Sequence, residues 1–310
     1  MTEAALVTSA QMATFVARGF LRFDAVVPDA INAQFLDEAG RVPDAKGEKL
    51  RQAYMRLFTE NGIPAIAAGT PLAEAYAPQS AAARLLDVPV VRGAIESLVG
   101  PGSRFDHHFL HITFPPAFYE GMGAPNVSQH NHQDSTIDTR RAFDVQLFYF
   151  PHEVTRDMGG TRFIPGTHLR RVSEAAIARY QNVLGQQHVV CPPGTVILMH
   201  HGMWHGGGVN RSDRVRYMFK IRLNPTVRQT RLWDTRDLPN DHRMQRPIFF
   251  VKEASDPNDV HAILTRPEPW FEADTGRLEY VNRIRLWRHL LGDESFDADY
   301  WLTRLENEPA

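Results

Sequence analysis

Apolar residues in the N-terminal third of the chain recur at helical spacing. Met12, Phe15, Val16 and Phe20 keep to one face, Thr8 with Gln11 fits a capping box, and Gly19 suits the stop. A short strand is expected over Leu21–Val27. Pro28 then opens a second helix with Ile31, Phe35 and Ala39 on one stripe and Gly40 at its end. Two more helical stretches are predicted around Lys49–Phe58 and Val88–Val99. From about Arg104 the period changes. Arg104–Phe114, Asp144–Phe150, Gln187–Val190, Thr195–Met199 and Val215–Leu223 are β-branched or aromatic runs, several of them alternating. Pro115-Pro116, Gly159-Gly160, Pro192-Pro193-Gly194 and Gly206-Gly207-Gly208 separate them. Helical spacing returns over Leu278–Leu291, where Tyr280, Ile284, Trp287 and Leu291 share a face and Gly292 follows. A helical preamble followed by many short strands predicts a mainly β barrel or sandwich core with flanking helices. Parallel βαβ architecture is disfavoured, because helices do not alternate with the central strands.

Composition narrows the function more than the fold. Among 310 residues there is one cysteine, Cys191, which excludes an intramolecular disulfide framework and a cysteine-rich metal site. A net charge of −2 leaves no electrostatic footprint for nucleic acid or an anionic membrane. No run reaches the roughly 18 apolar residues of a membrane span, and Met1–Ala10 lacks the basic start and apolar stretch of a signal peptide. A soluble, cytoplasmic protein is expected. No linker divides the chain, so residues 1–310 read as one domain: helical to about 100, strand-rich from about 101 to 225, helical or irregular beyond. Phosphate-binding glycine loops and a Gly-x-Ser-x-Gly nucleophile elbow are absent.

The 14 histidines are the compositional oddity. His130 and His132 precede Asp134; His200, His201 and His205 follow a predicted strand; His107, His108 and His111 lie on another and do not share one face. A His-x-Asp pair alone means little, since about one is expected by chance in a chain of this composition. Its chemistry is nonetheless specific. Two imidazoles and one carboxylate on one face of a metal leave positions open for a cosubstrate and oxygen, the arrangement of non-haem iron oxygenases. Residues two apart on a strand point the same way, so His132 and Asp134 can share an ion. Spacing does not choose the third ligand among His200, His201 and His205. It also leaves a His130, His132 and His205 set open.

Three segments together resemble the phytanoyl-CoA dioxygenase family of Fe(II)/2-oxoglutarate oxygenases. They are His132-Gln133-Asp134; the glycine-rich stretch from Gly159 to His168, ending Pro-Gly-Thr-His; and the stretch from His205 to Arg216, in which Asn210-Arg211-Ser212 precedes an arginine on the next strand. The resemblance covers about Thr8 to Leu223. It implies a double-stranded β-helix (jelly-roll, cupin-like) core and an enzyme that uses Fe(II), 2-oxoglutarate and O2 to hydroxylate a small molecule, with succinate and CO2 as coproducts. Desaturation, cyclisation and epimerisation are variants of the same chemistry.

Carried over residue by residue, the resemblance makes His132, Asp134 and His205 the iron ligands and Arg216 the partner of the distal oxoglutarate carboxylate. A planar guanidinium suits that role, since its fork binds a carboxylate through two parallel bonds. Gln129 and Thr161 fall where relatives contact the cosubstrate, although residues of these types near turns are ordinarily structural. Relatives often carry a small hydroxyl residue where this chain has Gly207. Asp134 itself implies hydroxylation over halogenation, because halogenating relatives have a small residue there. On the strand Arg214–Leu223, Arg214, Arg216, Lys220 and Arg222 share one face, and apart from Arg216 that face reads as solvated. Substrate-pocket walls are expected from Lys46–Ala77, Pro115–Val127 and residues beyond Thr226. The competing class is a cupin-like metal-binding barrel with no use for 2-oxoglutarate or for Arg216.

Overall fold

The structure is a computed structural model and describes residues 4–40, 48–120, 126–134, 141–170, 172–179, 182–238, 258–266 and 273–296. Helix α1 (Ser9–Arg18) carries the capping box as read. The Thr8 hydroxyl accepts from the Gln11 backbone N–H, and the Gln11 side chain accepts from the Thr8 N–H. Gly19 ends the helix at φ 82°, a left-handed conformation, and a Cβ there would collide with Met203 and His168. Helices α2 (Asp29–Ala39), α3 (Glu48–Thr59) and α5 (Pro89–Leu98) fall where the periodicity placed them. Helix α4 (Ala81–Leu86), capped by the Ser80 hydroxyl, lacks such a signal because it is under two turns long. Short helices α6 (Pro116–Tyr119) and α7 (Glu174–Ile177) follow, then α8 (Val260–Thr265) and α9 (Ala273–Leu291), which begins five residues before the predicted span.

The strands form two antiparallel sheets. The larger contains β1 (Phe20–Phe23), β2 (Arg104–Thr113), β3 (Val145–Phe150), β6 (Thr195–His200) and β8 (Arg216–Asn224), ordered β1-β6-β3-β8-β2. The smaller contains β4 (Thr161–Phe163), β5 (Gln187–His188) and β7 (His205–Gly207), ordered β5-β4-β7. β1 stops short of the expected Val27 because the chain turns at Ala25, whose φ is 51°. β4 and β7 were not expected as strands: three residues are too few to show a period.

Alternation along the large sheet decides where the site lies. Leu147 and Tyr149 of β3, Val196 and Leu198 of β6, and Tyr217, Phe219 and Ile221 of β8 pack on the helices in the main core. The opposite faces carry Phe148, Ile197 and Met218, which pack with Phe163 of the small sheet in a second cluster. Arg216, Lys220 and Arg222 share the Met218 side of β8. That basic face therefore turns between the sheets, and Arg216 and Lys220 are buried. The reading of a solvated face is overturned for Lys220, which is buried, and for Arg222, which is half-buried; Arg214 is exposed as read. No helix among the described residues is long and apolar enough to cross a membrane.

Candidate metal centre

The segment bearing His132 is not a regular strand; it is pinned to β7 by one bridge. The His132 N–H donates to the His205 carbonyl at 2.9 Å, and the reverse bond measures 3.0 Å. Each ring is also fixed from behind. His132 Nδ1–H donates to the His130 carbonyl at 3.0 Å, and His205 Nδ1–H donates to the Met203 carbonyl at 2.9 Å. Carbonyls only accept, so both neutral rings carry their proton on Nδ1 and present an Nε2 lone pair forward. Those lone pairs meet Asp134. His132 Nε2 lies 3.3 Å from Oδ1 and His205 Nε2 lies 3.9 Å from Oδ2. One donor atom from each of the three residues lies within 4.8 Å of the others, a set able to hold a metal ion.

Lys220 completes the charge arrangement. Its Nζ donates to Asp134 Oδ2 at 2.8 Å and sits 5.5 Å from the centre of the Phe109 ring. Arg222 Nη1 holds the Asp134 backbone carbonyl at 3.2 Å, while its Nε and Nη2 engage Asp144. Burial alone would raise the Asp134 pKa. The hydrogen bond it accepts from His132 whenever that ring is protonated, together with the charge and hydrogen bond of Lys220, instead holds it well below the carboxylate range. Burial lowers the His205 pKa to about 4, so this ring is neutral at physiological pH. For His132, burial pulls the pKa down, but the hydrogen bond to Asp134 leads the terms that raise it above the ordinary value. Unlike partner geometry alone, this pattern gives a basic imidazole and an ionised carboxylate on one spot, the donor chemistry a divalent ion requires.

All six residues singled out from the sequence line one cavity of about 440 Å3: Gln129, His132, Asp134, Thr161, His205 and Arg216. Arg216 is buried, with Nη1 on the Gly159 carbonyl and Nη2 donating to Thr113 Oγ1 at 2.6 Å. Its Nε has no hydrogen-bond partner among the described residues. Burial lowers its pKa to about 10, which leaves it charged at neutral pH. Gln129 Oε1 accepts from the Gly207 N–H at 3.1 Å, so the glycine's backbone supplies a contact at the position where relatives carry a hydroxyl. Thr161 is buried in the wall. His130 is exposed and lines a different groove, which removes the regular strand that the His130 alternative required. His200 and His201 stack on each other at 4.5 Å and bond to neighbouring backbone behind the site.

The phytanoyl-CoA dioxygenase (PhyH) family model matches residues 15–218. The chain belongs to that family. It is 37% identical over 111 residues to Dioxygenase trt7 of Aspergillus terreus (strain NIH 2624 / FGSC A1156), a stretch covering 33% of this chain and 37% of that protein. It is 34% identical over 73 residues to Dioxygenase andF of Emericella variicolor, covering 24% of each chain. The matched stretches thus span between about a quarter and little more than a third of these curated relatives. Among solved structures, AviO1 from Streptomyces viridochromogenes Tue57 superposes with a TM-score of 0.50 at 15% identity, covering 73% of this chain and 98% of that one. This likeness is one of fold.

Within this PhyH family member, the sequence reading missed Thr113, Phe109 and Lys220 on the cavity wall, and it favoured a packed core role for His111, which lines the cavity too. Lys220 had a usable signal, since it shares strand parity with Arg216; Phe109 had none, and the register sets it opposite Lys220. Thr113 and His111 become visible only through the β2–β8 register, which sets Thr113 opposite Arg216 and His111 opposite Met218. Of the expected pocket walls, Tyr119, Asn126 and Val127 line the cavity, whereas Tyr54 and Phe118 pack with Phe114 in the core. Residues 41–47, 121–125 and 239–257 lie outside the described part of the chain.

Proposed function

We propose that the chain is an Fe(II)/2-oxoglutarate-dependent dioxygenase that hydroxylates an unactivated C–H of a small molecule. The observation carrying this reading is the meeting of two Nε2 lone pairs and the Asp134 carboxylate in a cavity that also contains the buried Arg216. His132, Asp134 and His205 hold the iron. Arg216 binds the distal carboxylate of 2-oxoglutarate, with Gln129 and Thr161 beside it. When bound, iron and 2-oxoglutarate supply oxygen activation, with decarboxylation of the cosubstrate to succinate and CO2. The chain's own contribution is placement. The guanidinium of Arg216 is held by Gly159 and Thr113, so it needs no reorganisation to meet a carboxylate. Phe148 and Met218 make part of the wall apolar and limit water near the reacting C–H.

The two sheets are read here as a jelly-roll core and residues 1–310 as one domain around it. The mixed lining of Phe109, Tyr119, Met218 and Lys220 suits an amphipathic small molecule. A closed, structural metal barrel would leave a buried arginine in the same cavity without a purpose.

Anaerobic titration of Fe(II) and 2-oxoglutarate should produce the weak visible metal-to-ligand charge-transfer band. Absence of the band in the wild type sinks the oxygenase reading. Arg216→Ala should weaken 2-oxoglutarate binding by about tenfold or more, as expected for loss of a charge-assisted pair. Asp134→Ala should abolish succinate release, and retained turnover would reject the carboxylate as ligand. Mass analysis of the product separates oxygen insertion from desaturation, cyclisation or epimerisation.

A further inference from the structure

Outside the reaction cavity, three arginines from two separate stretches of the chain converge on one groove. Arg156 lies in the turn before β4, Arg162 on β4 itself, and Arg211 in the loop after β7. With His130 and His188 they line a cavity of about 840 Å3. Arg162 is buried, and its Nη2 donates to the Gln129 carbonyl at 2.5 Å. His188 sits opposite it in the β4–β5 register. Arg156 and Arg211 are exposed, and their guanidiniums make no hydrogen bond or ion pair among the described residues. The loops carrying them are tied together, since the Arg211 N–H donates to the Asp157 carbonyl at 2.7 Å. Asp157 is the acid in the lining, and its carboxylate accepts from the Thr155 hydroxyl. Among the described lining residues, three guanidiniums stand with one carboxylate, in a chain whose net charge is −2. His188 reports the same field. Burial first, then the charges of Arg162 and Arg156, lower its pKa.

We propose that this groove is a binding site for an oxyanion of the phosphate class. Guanidinium forks match the several acceptor oxygens of a phosphate, which one carboxylate group could not offer to three arginines at once. The groove volume lies within the range of small-molecule sites and exceeds what a free phosphate fills. Val127 and Gly208 line both this groove and the reaction cavity, so an organic group attached to the anion would lie along their common wall. The anion site stands without the oxygenase reading; only the meaning of that common wall rests on it.

The test is calorimetric titration of the 310-residue chain with inorganic phosphate and, separately, phenyl phosphate, with chloride at matched ionic strength as the control. Comparison is with the Arg156→Ala/Arg211→Ala double variant, whose substitutions are exposed and leave the Arg216 cavity intact. Saturable binding in the wild type is expected, weakened about tenfold or more in the variant, with melting temperature and the Fe(II)/2-oxoglutarate band unchanged. No saturable binding, or equal binding by the variant, overturns the site. Tighter binding of phenyl phosphate than of inorganic phosphate marks the anion as part of an organic ligand, and equal affinity marks a free anion. Absence of the charge-transfer band in the wild type, with saturable anion binding retained, would reject the oxygenase reading and leave this one standing.

Discussion

At the scale of single residues, Lys220 and Asp134 set the terms for metal binding. Both side chains are largely buried, at 8% and 13% exposure, and each is the other's charge partner at 2.8 Å. Removing one member of a buried pair leaves the other uncompensated, with a penalty on the order of 3–5 kcal/mol. Lys220→Met should therefore lower the melting temperature of the metal-free protein. A divalent ion at Asp134 supplies the missing positive charge, so the variant should recover more stability on adding Mn(II) than the wild type does. Thermal denaturation with and without Mn(II) reads both effects, and equal Mn(II)-induced shifts in the two proteins would refute the argument. The sequence contained part of this. Arg216, Lys220 and Arg222 were visibly on one side of β8, but which side faced the small sheet was not. That depended on β4 and β7, whose three residues each show no period.

At the scale of elements, legibility follows local information. Helix α1 was readable to its cap because Thr8, Gln11 and Gly19 act within a few residues of one another. The metal site was only half readable from local spacing. His132 and Asp134 are two apart, but His205 reaches them through a bridge between segments more than seventy residues apart, and resemblance rather than spacing chose it over its neighbours. Gly19 joins the two scales. Its φ of 82° ends α1, and the space a Cβ would need is filled by Met203 and His168 from elsewhere in the fold. Gly19→Ala should thus destabilise through both backbone strain and overpacking, by about 1–3 kcal/mol. Urea denaturation should show a lower midpoint with an unchanged slope. A midpoint within error of the wild type would mean that the helix end relaxes freely.

At the scale of the whole molecule, buried neutral histidines make stability depend on pH. Burial lowers His168 to about 3 and His111 and His205 each to about 4, against an ordinary 6.5. With folded pKa values below the unfolded one, the unfolded chain binds more protons between about pH 6.5 and 4. Their contribution is therefore intact above pH 6.5 and lost as pH falls, at roughly 1.4 kcal/mol per pH unit for each group fully titrating in the unfolded chain alone. His132, whose pKa is raised, works in the opposite direction but at higher pH: its contribution is complete below pH 6.5 and is lost as pH rises through its folded pKa. His168 separates the effect from the metal site. It is fully buried, and its Nε2–H donates to the Val16 carbonyl at 3.0 Å. His168→Gln keeps a donor and removes the titration. Its stability at neutral pH should fall from imperfect packing, while its loss of stability between pH 6.5 and 4 should be shallower by about one proton. Denaturant midpoints collected across that range give the slope directly, and a slope equal to the wild type would show that His168 accommodates its proton in the folded state.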